Sequence, residues 1–179
     1  MSETPRRISD RIFDRSYMAE LASRDTAELR SLREECEEIE AEVSYTRRLL
    51  QGKLDILRHE LERRASGGDP DIQALVKSLP EILGDGGRGS VMRHMRVLVP
   101  RNAETQRREV ERIASESTLA EIMDLSASEL EALIARLKVA EVEVSEKRRV
   151  IQSAGDSVRA ELVRRYREGI EDPSELLPS

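Results

Sequence analysis

Two stretches of the sequence carry the same five polar residue types at the same spacing, E-x3-S-x2-R-x3-Q-x3-D. Each member of the second stretch lies 101 residues after its counterpart in the first. The two copies consist of Glu40, Ser44, Arg47, Gln51 and Asp55, and of Glu141, Ser145, Arg148, Gln152 and Asp156. Two carboxylates, a guanidinium, an amide and a hydroxyl can together donate to and accept from a polar ligand. The motif therefore indicates a binding surface.

Helical geometry would bring the five side chains of each copy onto one face. Steps of four, three, four and four residues place them, at about 100° per residue, within an arc of roughly 80° along about 22 Å of helix. The residue before each motif position is usually apolar, as at Leu50 and Ile151, so the stripe is expected to flank a coiled-coil seam. The correspondence extends over residues 25–65 and 126–166, and both spans begin with a capping box.

A solvated helix face is the alternative explanation of this pattern. Charged residues beside a coiled-coil seam are usually exposed, and a duplicated helix would keep its surface by descent. Two details favour a function. The seam positions differ between the copies, as Leu54 and Gly155 do, while the five polar positions are identical, and two of the four glutamines in the chain belong to the motif.

The chain is predicted to be all-α, with two long helices in an antiparallel coiled-coil hairpin and shorter helices at the N-terminus and in the connection. Antiparallel pairing is favoured because parallel pairing would require the connection to travel back about 60 Å. The predicted segments are an N-terminal arm and short helix over 1–24, a long helix over 25–66, a connecting segment with short helices over 67–125, a long helix over 126–169, and a loose tail over 170–179.

Several local features lead to further predictions. A short helix starting at Asp69 or Asp71 should be interrupted by Pro80. An apolar run over 91–99, a polar helix near 103–115 and a short turn over 119–123 should follow. Cys36 is expected to be a small core residue. The basic pairs near the helix ends are expected to be solvated or to face a partner; they are Arg63-Arg64 and Arg164-Arg165.

Composition excludes several classes of function. A net charge of −6 argues against direct nucleic-acid binding, which needs a basic surface. The sequence contains no signal peptide and no membrane-spanning run, so we expect a cytoplasmic protein with no membrane partner. Two histidines and one cysteine cannot form a transition-metal cluster. The GxGxxG match over 84–89 follows no strand, and Glu40 lies about four turns from Asp55, too far for acid–base catalysis, so no enzymatic activity is expected.

The doubled motif on two long helices resembles the RsiG family, actinobacterial anti-sigma factors that bind cyclic di-GMP. All ten motif positions match the family pattern. The resemblance implies that the helices form an antiparallel coiled coil and that the ten motif residues together hold a dimer of cyclic di-GMP. It also implies that the loaded protein binds a WhiG-like sporulation sigma factor and keeps it from RNA polymerase.

The chemistry of guanine suits the motif. Guanine O6 and N7 match the fork of Arg47 or Arg148, and its N1–H and amino group require carboxylates. The serines and glutamines could bond ribose, phosphate or the remaining base edges. Each copy lies near the middle of its predicted helix, so level antiparallel helices would bring the copies into one layer with pseudo-twofold symmetry. A cyclic dinucleotide has a matching symmetry.

Three classes of function remain open from the sequence. The first is a nucleotide-gated regulator of a sigma factor. The second is a ligand-independent coiled-coil adaptor or assembly protein, suggested by the long helices alone. The third, a single-stranded nucleic-acid binder, is disfavoured by the negative charge and by the presence of only one Phe, three Tyr and no Trp.

Overall fold

The computed structural model describes residues 20–84 and 119–169, and every regular element in these ranges is helical. A 3-10 turn over Leu21–Ser23 precedes the four helices, which are α1 at Thr26–Ala65, α2 at Ile72–Gly84, α3 at Leu119–Asp124 and α4 at Ala127–Arg167. The all-α prediction with two long helices is therefore confirmed. The predictions for the N-terminal arm, the apolar run, the polar helix near 103–115 and the tail lie outside the described residues.

Local signals determine where the long helices begin. At the start of α1 the Glu28 N–H donates to the Asp25 carboxylate at 2.7 Å, and the Asp25 N–H donates to the Glu28 carboxylate at 3.3 Å. Ser126 and Glu129 form the same reciprocal pair before α4. Each box satisfies N–H groups that the first helical turn leaves unpaired. None of the helices in the two described ranges is both long and apolar enough to cross a membrane.

Glycines end both long helices. Gly67 after α1 has φ +86° and Gly169 after α4 has φ +69°. This left-handed conformation strains other residues but not glycine, and it is a common way to terminate a helix.

The chain divides into two compact units. Of the described residues, unit 1 contains 20–41 and 146–169, and unit 2 contains 42–84 and 119–145. Both boundaries fall inside the long helices, so each unit contains one segment of α1 and one of α4. In unit 1 the start of α1 contacts the end of α4, and in unit 2 the end of α1 contacts the residues just before α4. The helix segments therefore run antiparallel within each unit, as predicted.

Each unit buries its own set of apolar side chains between the two helix segments. The core of unit 1 contains Leu29, Leu32, Cys36, Ile151, Ala154, Val158 and Leu162. The core of unit 2 contains Leu50, Leu54, Leu57, Ile122, Leu130, Leu133 and Leu137. Cys36 is a small core residue, as expected, and burial together with the charges of Glu35 and Glu37 raises the pKa of its thiol to about 11. The thiol therefore stays protonated at neutral pH.

The prediction that Pro80 interrupts the short helix was wrong. α2 begins after Asp71, whose carboxylate accepts the Gln73 N–H at 2.9 Å, and it continues through Pro80 to Gly84. An interior proline loses one helical hydrogen bond and costs about 3 kcal/mol. The apolar face offsets this cost, because Leu75 is fully buried before the proline and Ile82 is partly buried after it.

We expected the basic pairs Arg63-Arg64 and Arg164-Arg165 to be solvated or to face a partner. This expectation was wrong for Arg64 and Arg165. In unit 2, the Arg64 guanidinium donates to the main-chain carbonyl groups of Ile122 at 3.0 Å, Met123 at 3.3 Å, and Leu125. It also forms an ion pair with the Glu60 carboxylate at 2.6 Å, and the Glu60 side chain is fully buried. Arg64 and Glu60 are here called the unit 2 clamp, since they fix the segment that leads into α4.

Unit 1 contains the equivalent arrangement, formed by Arg165 and Glu161 and called the unit 1 clamp. The Arg165 guanidinium donates to the carbonyl groups of Leu21 at 3.2 Å, Ala22 at 3.3 Å and Arg24 at 2.6 Å. These three acceptors lie 101 residues before the three acceptors of Arg64. The repeat recognised from residue 25 onward therefore includes the short segments that precede both long helices.

We predict that the folded protein loses part of its stability in acid because the clamp carboxylates become protonated. Hydrogen bonds from Arg164 and Arg165 lower the pKa of Glu161 from an ordinary value of 4.5 to about 2. Because the unfolded state takes up this proton first, the contribution of Glu161 to stability is complete above pH 4.5 and is lost as the pH falls toward 2. Urea unfolding of the wild type and Glu161→Gln between pH 2 and 7 should show a shallower pH dependence for the variant.

The same prediction extends to the other clamp. Burial alone would raise the pKa of Glu60, but hydrogen bonds from Arg63 and Arg64 outweigh it and lower that pKa. Glu60→Gln should therefore flatten the acid limb of the stability curve, as Glu161→Gln does. Identical acid limbs for the wild type and both clamp variants would contradict the prediction.

Candidate ligand-binding site

In unit 1, three of the predicted site residues meet across the two helix segments. The Arg148 Nε donates to Glu40 Oε1 at 2.9 Å, and the Gln152 Nε2 donates to the same oxygen at 3.2 Å. Glu40 lies on α1, whereas Arg148 and Gln152 lie on α4. These three residues, called the Glu40 cluster, join the carboxylate of one motif copy to the guanidinium and amide of the other. The Glu40 and Arg148 side chains are 30% and 33% exposed, so the cluster is accessible from solvent.

In unit 2, four of the predicted residues meet around Glu141. Its Oε1 accepts the Ser145 hydroxyl at 2.9 Å and the Gln51 amide at 3.1 Å. The Arg47 Nη1 lies 3.8 Å from the same oxygen, which is an ion pair beyond hydrogen-bond distance. The Glu141 cluster, defined by these four residues, again joins a carboxylate of one copy to the guanidinium and amide of the other.

The two arginines differ in how they are held. The Nε of Arg148 donates to a carboxylate, whereas the Nε of Arg47 is buried and has no hydrogen-bond partner. An unsatisfied buried donor costs about 1–3 kcal/mol. Identical residues in the motif therefore stand in different hydrogen-bonding states in the two units.

The remaining predicted site residues lie outside the two clusters. Ser44 is buried, at 9% exposure, and is not part of an exposed stripe as the sequence suggested. Asp55 pairs with Arg58 at 3.6 Å and Asp156 pairs with Arg159 at 3.4 Å, in each case one turn along the same helix. Arg58 and Arg159 are thus each paired with an aspartate of the motif.

An open depression with a volume of about 520 Å³ lies along α4 in unit 1. All the residues that line it come from this helix: Arg149, Gln152, Ser153, Asp156, Ser157 and Ala160. Two of them, Gln152 and Asp156, belong to the motif. The side chains beside them are small, so the helix surface is recessed there. The sequence interpretation missed this feature, although small residues at 153, 157 and 160 have the spacing of one helix face.

The equivalent face of α1, in unit 2, is covered. Gly52 corresponds to Ser153, and a Cβ placed on Gly52 would lie 3.5 Å from the Leu83 Cδ2 of α2. The duplicated helices therefore differ in surface access beside the motif. Within residues 20–84 and 119–169, no three His, Cys, Asp or Glu side chains are grouped to hold a metal ion.

A family model described as RsiG-like matches residues 15–83 and 116–179. The match covers most of the chain and includes both long helices, both clusters and both clamps. Among proteins with curated descriptions, none matches this chain.

Proposed function

The chain belongs to the RsiG-like family, and from this premise we propose that it is a cyclic di-GMP-dependent anti-sigma factor. Family membership supports an anti-sigma factor-type regulator. The proposal adds that the ten motif residues bind the dinucleotide, as a dimer, and that the loaded protein sequesters a WhiG-like, sporulation-type sigma factor in the cytoplasm. The protein acts by binding and has no catalytic role.

The pairing of complementary groups in both clusters is the observation that carries this proposal. Each cluster combines a half-buried carboxylate with a guanidinium and an amide from the other motif copy. A guanidinium donates two parallel hydrogen bonds to guanine O6 and N7, and a carboxylate accepts from N1–H and the amino group. The groups that neutralise each other without ligand are therefore those that a guanine needs on its two edges.

Base discrimination follows from the same chemistry. Adenine presents an amino donor where guanine presents O6, so an arginine fork that fits guanine meets a donor on adenine. Adenine also has no N1–H to offer a carboxylate. Cyclic di-AMP should consequently leave charged groups of the clusters unpaired, and unpaired charges in a half-buried site are costly.

Partner binding can be coupled to this site because the clusters are accessible. Side chains at 19–33% exposure lie at the surface, so a bound nucleotide would present its outer edge to a partner. A sigma factor that touches the nucleotide and the helices together would bind the loaded form more tightly. Ligand affinity and partner affinity then rise by the same factor.

A ligand-independent coiled-coil adaptor is the second candidate, and one observation favours it. In both clusters the opposite charges lie within 4 Å of each other, so they can serve as ordinary interhelical ion pairs without any ligand. Such pairs contribute about 0–1 kcal/mol each. This function predicts that no dinucleotide binds and that partner capture is independent of cyclic di-GMP.

Calorimetric titration with the two cyclic dinucleotides tests the proposal. We expect cyclic di-GMP to bind and cyclic di-AMP to bind at least about 10-fold more weakly, since one mismatched bidentate contact is worth about 1–3 kcal/mol. The Arg167→Ala variant, which removes an exposed charge of α4, should bind as the wild type does. Equal affinity for both dinucleotides would overturn guanine recognition, and binding of neither would favour the adaptor.

A further inference from the structure

We propose that the two clusters load in a fixed order, with Arg47 of the Glu141 cluster engaging the ligand before Arg148 of the Glu40 cluster. The inference rests on the proposed function and concerns how that binding is regulated. Its basis is the difference in hydrogen bonding between two clusters built from the same residue types.

Arg47 loses little when it turns toward a ligand. Arg47 contacts Glu141 through an ion pair at 3.8 Å, and its Nε is buried without an acceptor. Movement of this guanidinium onto a guanine edge removes an unsatisfied buried donor and breaks no short hydrogen bond of its Nε. This arrangement therefore favours release of Arg47 from Glu141.

Glu141 remains in position when Arg47 leaves. Its Oε1 accepts the Ser145 hydroxyl at 2.9 Å and the Gln51 amide at 3.1 Å, and neither contact involves the guanidinium. The carboxylate is also the less exposed member of the pair, at 19%. Glu141 is thus a fixed acceptor for guanine N1–H, and Arg47 is a donor that is easily released. We therefore expect the Glu141 cluster to bind the ligand first.

Arg148 must break a bond before it can bind. Its Nε donates to Glu40 at 2.9 Å, a charge-assisted hydrogen bond at short distance. The same carboxylate oxygen also accepts Gln152, so a guanine must displace an internally satisfied set. The Glu40–Arg148 bond is thus an autoinhibitory contact that delays loading of this cluster.

Nitrogen-15 spectra of the arginine Nε–H groups, recorded during a stepwise titration of the full chain with cyclic di-GMP, test this order. The signals of Arg47 and Arg148 are assigned from their absence in Arg47→Lys and Arg148→Lys. We expect the Arg47 signal to reach its bound position at lower ligand concentration than Arg148, while the exposed Arg167 stays unchanged. A parallel titration with cyclic di-AMP should need at least about 10-fold more ligand to move either signal.

The outcomes separate the two proposals. Simultaneous movement of both signals, or earlier movement of Arg148, would overturn the loading order and leave cyclic di-GMP binding intact. If saturating cyclic di-GMP moved neither signal, the proposed ligand site itself would be wrong. Earlier movement of the Arg47 signal, at cyclic di-GMP concentrations below those at which cyclic di-AMP acts, supports both proposals.

Discussion

Replacement of both Arg47 and Arg148 by alanine should abolish cyclic di-GMP binding and, with it, capture of the sigma factor. Each lost fork to a guanine edge is worth about 1–3 kcal/mol, or roughly 5- to 150-fold in affinity. The helices should remain folded, because both side chains are about one-third exposed and such ion pairs contribute about 0–1 kcal/mol each. Calorimetry, sigma-factor pull-down and circular-dichroism melting measure the three quantities.

A matched control removes two positive charges at exposed positions outside the two clusters. Lys138 and Arg167 are exposed, and one lies in each unit, so Lys138→Ala with Arg167→Ala should leave ligand binding and partner capture unchanged. A double variant of Arg47 and Arg148 that folds normally, binds no dinucleotide and still captures the sigma factor at full affinity would show that the ligand is not the switch.

The largest effect on stability is expected from the clamps. Arg165→Ala removes hydrogen bonds to three main-chain carbonyl groups and to the Thr26 hydroxyl, and it takes one of the two arginines from Glu161. Loss of a buried, charge-assisted network of this size should cost on the order of 3 kcal/mol. Urea unfolding measures the loss, and amide exchange over residues 20–26 should accelerate.

The adjacent arginine provides the control. Arg164 pairs with the same Glu161 but is 46% exposed, so Arg164→Ala should cost much less than Arg165→Ala. Arg165→Lys should restore only part of the stability, because an ammonium group cannot span the acceptors that a guanidinium fork reaches. Equal destabilisation by Arg164→Ala and Arg165→Ala would contradict the role assigned to the clamp.

The parts of the fold that follow from local sequence were predicted well. Helix starts depend on residues three apart, as at Asp25 and Glu28, and the long amphipathic spans depend on a 3.6-residue period. Pro80 shows the limit of local reasoning. Its unfavourable propensity is overridden by packing of residues on both sides of it, which only the tertiary structure reveals.

The sequence predicted the site as two stripes of polar residues. It did not predict which of these residues contact each other. That Glu40 contacts Arg148 and Gln152 depends on the register between two helix segments, which one helix's periodicity cannot fix. Asp55 and Asp156 lie outside the two clusters for a local reason, since each pairs with an arginine three residues later. That spacing was readable from the sequence.

The clamps were not predicted from the sequence, because the acceptors of their hydrogen bonds are main-chain oxygens. A carbonyl group is the same in every residue, and Arg64 and Arg165 accordingly bind segments whose side chains have diverged. These segments contain Leu21, Ala22 and Arg24 before α1, and Ile122, Met123 and Leu125 before α4. Substitutions in these segments leave the acceptors intact. The segments before α1 and α4 can therefore diverge in sequence and acquire different outward-facing surfaces. The hydrogen bonds of Arg165 and Arg64 would still hold each segment within its unit.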